Sequence, residues 1–144
     1  MSSARSTEPG NGRAGWATLL PAGYHAGWVV ASYLLLAFVA WASLRPGIVL
    51  PPVSNADKFS HALAYCTLAT WFMGFHVRER RWAVALRLLV FGAALELAQQ
   101  WMGLGRTGEP ADMVANGLGV AAGMLLSPLT GAWPRRVERL LGRA

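Results

Sequence analysis

Three acids, an imidazole and several amides stand at helical spacings inside stretches that are otherwise apolar. Asp57, His61 and Tyr65 follow one another at intervals of four, so one helix face carries all three. Glu96 and Gln99 are three apart, with Gln100 beside them, and Asp112 and Asn116 are again four apart. Lys58 and Arg106 add cations close by in sequence. Carboxylates and imidazole can move protons, ligate a divalent ion or accept hydrogen bonds, whereas lysine and arginine suit phosphate or carboxylate ligands. His61, Glu96 and Asp112 are therefore the candidates for acid–base chemistry. Asp57, Lys58, His61, Tyr65, Glu96, Gln99, Arg106, Asp112 and Asn116 are the candidates for binding.

Each group also has a plainer reading. An ionised carboxylate in a membrane span costs about 3 kcal/mol on insertion scales, so Glu96 needs a partner. Lys58 or Arg106 would serve, and the pair would then only lock helices together. His61 can simply hydrogen-bond a neighbour such as Asp57. Asp57 and Asp112 can act as acids at helix N-termini, where the helix dipole favours negative charge. Gly119 and Gly123 extend the Asp112–Asn116 stripe and allow close helix approach. The chain has no HExxH or CxxC pattern, so no metal is expected. It has no Walker loop, Rossmann fingerprint or GxSxG serine either, and no cofactor is expected. The single cysteine, Cys66, reads as a small buried side chain.

The elements that must hold these residues are apolar helices. Of 144 residues, 54% are hydrophobic and only 14% charged, where a soluble domain has about 25% charged. Residues 1–25 read as a flexible tail rich in Gly, Ser, Thr and Pro. Gly27–Leu44 forms the first span. A signal peptide competes there, because Ala40-Trp41-Ala42 mimics a cleavage site. Against it, the uncharged run is longer than such a segment needs and Arg13 lies far from its apolar centre. Arg45–Asp57, with three prolines, is a loop. Phe59–Val77 is the second span, Arg78–Trp82 a basic hinge, Trp82–Met102 the third span and Ala111–Leu129 the fourth. Each run approaches the ~20 residues that cross a bilayer. Strands are excluded because the alternating pattern of a barrel is missing. The fold class is all-α, a four-transmembrane-helix bundle over residues 26–131. Residues 132–144 follow as a basic tail with a possible short interfacial helix. Trp28, Trp82, Trp101 and Trp133 suit aromatic belts at the membrane surfaces.

Orientation follows from the basic residues. The net charge of +6 comes from short clusters between apolar runs, not from a nucleic-acid-binding face. Four spans put both tails and the middle hinge on one side, with ten of the 13 Lys and Arg residues. Only Arg45, Lys58 and Arg106 fall on the other. Both termini are then cytoplasmic, and the polar candidates gather at the outer ends of the second, third and fourth spans. Glu96 lies about 9 Å inside that end at 1.5 Å per residue.

On these residues the chain resembles the VanZ-like family of small bacterial membrane proteins. The likeness lies in DKFSHALAY (Asp57–Tyr65) and in ELAQQWMGLGRTGEPADMVANGLGVAAG (Glu96–Gly123). The family pattern falls on Asp57, Lys58, His61, Tyr65, Glu96, Gln99, Arg106, Asp112, Asn116, Gly119 and Gly123. The Gln99-Gln100 doublet is a departure, and the stretch from Glu96 to Arg106 differs slightly in length. The resemblance covers the second to fourth spans. It implies residence in the bacterial inner membrane, a shared polar site and, through the family's namesake, a link to teicoplanin resistance.

Three functions fit the sequence. One is a binding protein at the outer leaflet, whose ligand is an anionic lipid head group, a lipid-linked cell-wall precursor or a glycopeptide. Another is an enzyme acting on a lipid-linked phosphate or ester, with His61 or Glu96 as base and Lys58 and Arg106 stabilising negative charge. The third is a structural or assembly subunit of a homo-oligomer or larger membrane complex, whose polar cluster only registers helices.

Overall fold

A computed structural model describes residues 25–45, 56–76, 78–102, 110–130 and 133–141. The described residues are helical, without a strand. The order is α1 (His25–Leu44), α2 (Ala56–Met73), a 3-10 turn at Arg78–Arg80, α3 (Arg81–Met102), α4 (Pro110–Thr130) and α5 (Trp133–Leu140). The expected tail before His25, most of the loop between the first two spans and Arg106 lie outside the described residues.

Three helical stretches are long and apolar enough to cross a membrane: Ala26–Leu44, Arg78–Met102 and Pro110–Leu129. They point to a membrane protein. Large apolar side chains face outward along them, among them Tyr33, Leu34, Phe38, Leu86, Leu118 and Leu125. α2 is not one of the three, because its 18 residues include Asp57, Lys58, Ser60, His61, Thr67 and Thr70. It supplies the centre of the core instead. Leu68, Ala69 and Met73 are fully buried, and Val84, Ala85, Leu88 and Val120 complete the core around them.

The local chemistry explains the helix ends. Asp57 and Asp112 stand in the first turns of α2 and α4, where the unpaired backbone N–H groups favour a negative charge. α2 stops at Gly74, and the His76 imidazole donates from Nδ1 to the Phe72 carbonyl at 2.8 Å, satisfying one terminal acceptor. Pro128, inside α4, has no N–H for the Met124 carbonyl one turn back. The Ser127 hydroxyl donates to that carbonyl at 2.6 Å and accepts from Arg81 Nη1 at 2.8 Å, so α4 is tied to the start of α3.

α2 and α4 make the most extensive helix contact. Gly119 lies against the Ala62 backbone and Gly123 against Ala69 and the Cys66 carbonyl, so these two glycines are a packing seam. α1 is held differently. Val39 is its one buried side chain among the described residues. Three hydrogen bonds pin it: Trp71 Nε1 to Ser32 Oγ at 2.9 Å, Gln99 Nε2 to the Ser43 carbonyl at 2.8 Å, and Trp28 Nε1 to Glu138 Oε1 at 3.2 Å.

The last of these bonds joins α1 to α5, which is a docked helix and not merely a basic tail. Pro134 and Glu138 are buried, while Arg135, Arg136 and Arg139 face outward. Trp133 seats its indole on Gly74, and Trp28, Trp71, Phe75 and Trp133 form an aromatic nest with ring centroids 4.8–5.9 Å apart. Trp28 and Trp133 therefore pack in protein, whereas Trp82 and Trp101 are exposed as a membrane belt requires.

Candidate functional site

The polar candidates meet where α2 and α4 begin and α3 ends. His61 projects from the second turn of α2, and its Nδ1 stands 3.1 Å from Asn116 Oδ1 on α4. An amide oxygen only accepts, so this bond requires the proton on Nδ1, and in the neutral imidazole the other ring nitrogen is then the acceptor. Glu96 Oε1, from α3, lies 4.0 Å from the same Nδ1. Three helices thus contribute to one cluster, and each brings a side chain that is nearly buried. His61 keeps 10% of its side chain exposed, and Glu96, Asp112 and Asn116 are exposed by 6%, 4% and 1%.

Asp57 is exposed at the rim, one turn before His61. Donor atoms of Asp57, His61 and Asp112 all fall within 4.8 Å of one another. Tyr65 comes one turn after His61 and is buried. Its hydroxyl and the Asn116 amide nitrogen both crowd the face of Gly92, where an added Cβ would meet them at 2.9 and 3.0 Å. A larger residue at position 92 would displace this part of the cluster, so Gly92 belongs to the site although the sequence reading passed over it.

A cavity of about 140 Å³ opens beside the cluster, lined by Asp57, Ser60, His61 and Tyr65 on α2 and by Phe38, Val39 and Ala42 on α1. Ser43 on α1 and Ala64 on α2 complete the lining, so the α1 wall is mainly apolar and the α2 wall mainly polar. A larger cavity, about 480 Å³, lies elsewhere among Trp28, Phe72, Phe75 and Phe91, and it includes none of the clustered acids.

Not every candidate joins the centre. Gln99 is buried but turns to α1, where it donates to Ser43. Gln100 is exposed and Lys58 half-buried at the rim. Arg45, one helix away, stacks its guanidinium 5.1 Å over the Trp41 ring.

The arrangement can accept hydrogen bonds from a ligand's hydroxyl or amine groups, transfer a proton through His61 or Glu96, or ligate a cation. No known protein family, curated protein or solved structure matches the chain.

Proposed function

We propose that this chain is a VanZ-like membrane protein that binds the head group of an anionic lipid or lipid-linked cell-wall precursor at the outer leaflet. The observation that carries the reading is the convergence of His61, Glu96, Asp112 and Asn116, nearly buried, from three helices of an apolar bundle. Ionisable groups at such depth are expensive and tend to be functional. The cavity beside them suits a lipid, because Phe38, Val39 and Ala42 can take an acyl chain while Asp57 and His61 meet the head group. A cluster rich in carboxylates does not attract phosphate by itself. The phosphate would sit at the rim with Lys58, Arg45 and, from its place in the sequence, Arg106, leaving hydroxyls or amines to the acids.

In this reading α2 is a fourth crossing. Its most polar residues, Asp57, Lys58, Ser60 and His61, stand in its first two turns, so they would lie at the membrane surface and not at its centre. Both termini then lie in the bacterial cytoplasm, with ten of the 13 basic residues. A reporter fused to the C-terminus is expected to be active in the cytoplasm; activity only outside would overturn the topology.

Native mass spectrometry of protein purified from bacterial membranes in mild detergent tests the ligand. Wild type is expected to retain an anionic lipid that the Lys58→Ala/Arg106→Ala double variant releases. Equal retention by both would sink the proposal. A hydrolytic reading has the approach of Glu96 to His61 in its favour. It predicts that the retained lipid is converted on incubation, and an unchanged mass excludes it for that lipid. By the family resemblance, the same site would underlie any change in teicoplanin sensitivity.

A further inference from the structure

We propose that Asp57, His61 and Asp112 form a binding site for a divalent transition cation such as Mn²⁺ or Zn²⁺. The inference goes beyond head-group binding and does not require it.

Neighbouring ligands of a tetrahedral ion, each about 2.1 Å from it, stand about 3.4 Å apart. The three donor atoms here lie within 4.8 Å of one another, so side-chain rotations that draw them together by about 1.4 Å or less close the shell. Two carboxylates and one imidazole, with no thiolate, suit the borderline divalent ions. They favour these over Ca²⁺ or Mg²⁺, which prefer oxygen alone. His61 also has the outer hydrogen bond that ligand histidines usually have. Its Nδ1–H is held by Asn116 Oδ1, and such an outer bond fixes the ring and raises the basicity of the second nitrogen.

A separate observation points to a guest at the same place. Tyr65, 1% exposed, lines the cavity shared by Asp57 and His61, and its hydroxyl has no hydrogen-bond partner among the described residues. A buried hydroxyl without a partner costs about 1–3 kcal/mol. The exposed side of Asp57 leaves an entry path, so the ion would keep one or more water positions open toward the cavity.

The test uses the full chain in detergent, stripped with a chelator and titrated with Mn²⁺ and Zn²⁺ alone. Calorimetry and Mn²⁺ electron paramagnetic resonance are expected to show one saturable ion per chain. Asp57→Asn and His61→Gln should each weaken it about tenfold or more, and Asn116→Ala by a comparable factor through loss of the outer bond. Asp57 is exposed, so Asp57→Asn leaves the packing intact even if the variants at buried positions fail to fold. Glu79→Gln, in the exposed turn before α3, is the control and should bind as wild type does. The absence of saturable binding in wild type would overturn the proposal. So would equal affinity in wild type and Asp57→Asn.

Discussion

Replacing Gly119 and Gly123 together by alanine is expected to cost several kcal/mol and to prevent accumulation of folded protein. A Cβ at Gly119 runs into the Ala62 carbonyl oxygen, with the Ala62 carbonyl carbon and Cα at 3.0 Å. At Gly123 it meets Ala69 Cβ at 2.5 Å, the Cys66 oxygen at 2.8 Å and the Thr70 nitrogen at 3.1 Å. Most of these neighbours are backbone of α2, which cannot rotate aside, so the helices must separate. Overpacking of this kind costs about 1–3 kcal/mol per site. Two sites in one contact take a large share of a total stability of about 5–15 kcal/mol. Gly117→Ala is the internal control. Nothing lies within 4 Å of that position, so the substitution should be neutral or slightly stabilising through helix propensity. Thermal unfolding midpoints and yields in detergent compare the variants, and a double variant as stable as Gly117→Ala would refute the seam.

Trp133→Ala is expected to release α5 from the bundle. The indole occupies the surface over Gly74 and touches Trp28, Trp71 and Phe75, so its removal opens the centre of the aromatic nest. A large aromatic truncated to alanine costs about 3–5 kcal/mol in a core. The partial exposure of this ring places the effect near 3 kcal/mol. An eight-residue helix does not persist in water without docking. Hydrogen exchange of the Val137–Leu140 amides should therefore accelerate by about two orders of magnitude, at 1.4 kcal/mol per tenfold. Amides in the middle of α2 and α4 should keep their protection. Unchanged exchange in Val137–Leu140 would show that Trp133 does not hold α5.

Periodicity made much of the site legible. Asp57, His61 and Tyr65 at intervals of four had to share a face, and their position near a helix start placed them opposite Asp112 and Asn116. The identity of the partners was hidden. His61 bonds Asn116 across the helix contact, and the closeness of α2 to α4 depends on glycine contacts that no local pattern reports. Glu96 and Gln99 looked like a pair at three residues' separation. Three residues turn a helix by about 300°, however, leaving the two side chains some 60° apart. That angle lets Glu96 meet α2 while Gln99 meets α1. α5 was harder to read, since it has no apolar run and its seat at Gly74 lies far back in the chain. The three most apolar helices were legible from composition, and α2 was obscured by the polar groups gathered in its first two turns.

The pins on α1 have a mechanical consequence. Between helices in a bilayer there is little hydrophobic drive, because lipid tails replace protein contacts at small loss. Depth and rotation of α1 are then set by Trp28, Ser32 and Ser43, spread over about 22 Å of helix and engaged with three different helices. A slip by one turn displaces all three by about 5.4 Å and takes every bond out of reach together. Partial sliding gains nothing, since no single pin can be kept while the others adjust. α1 therefore behaves as a bolt with one locked depth: it is seated along its whole length or withdrawn from it, and Phe38, Val39 and Ala42 on the cavity wall move with it as one piece.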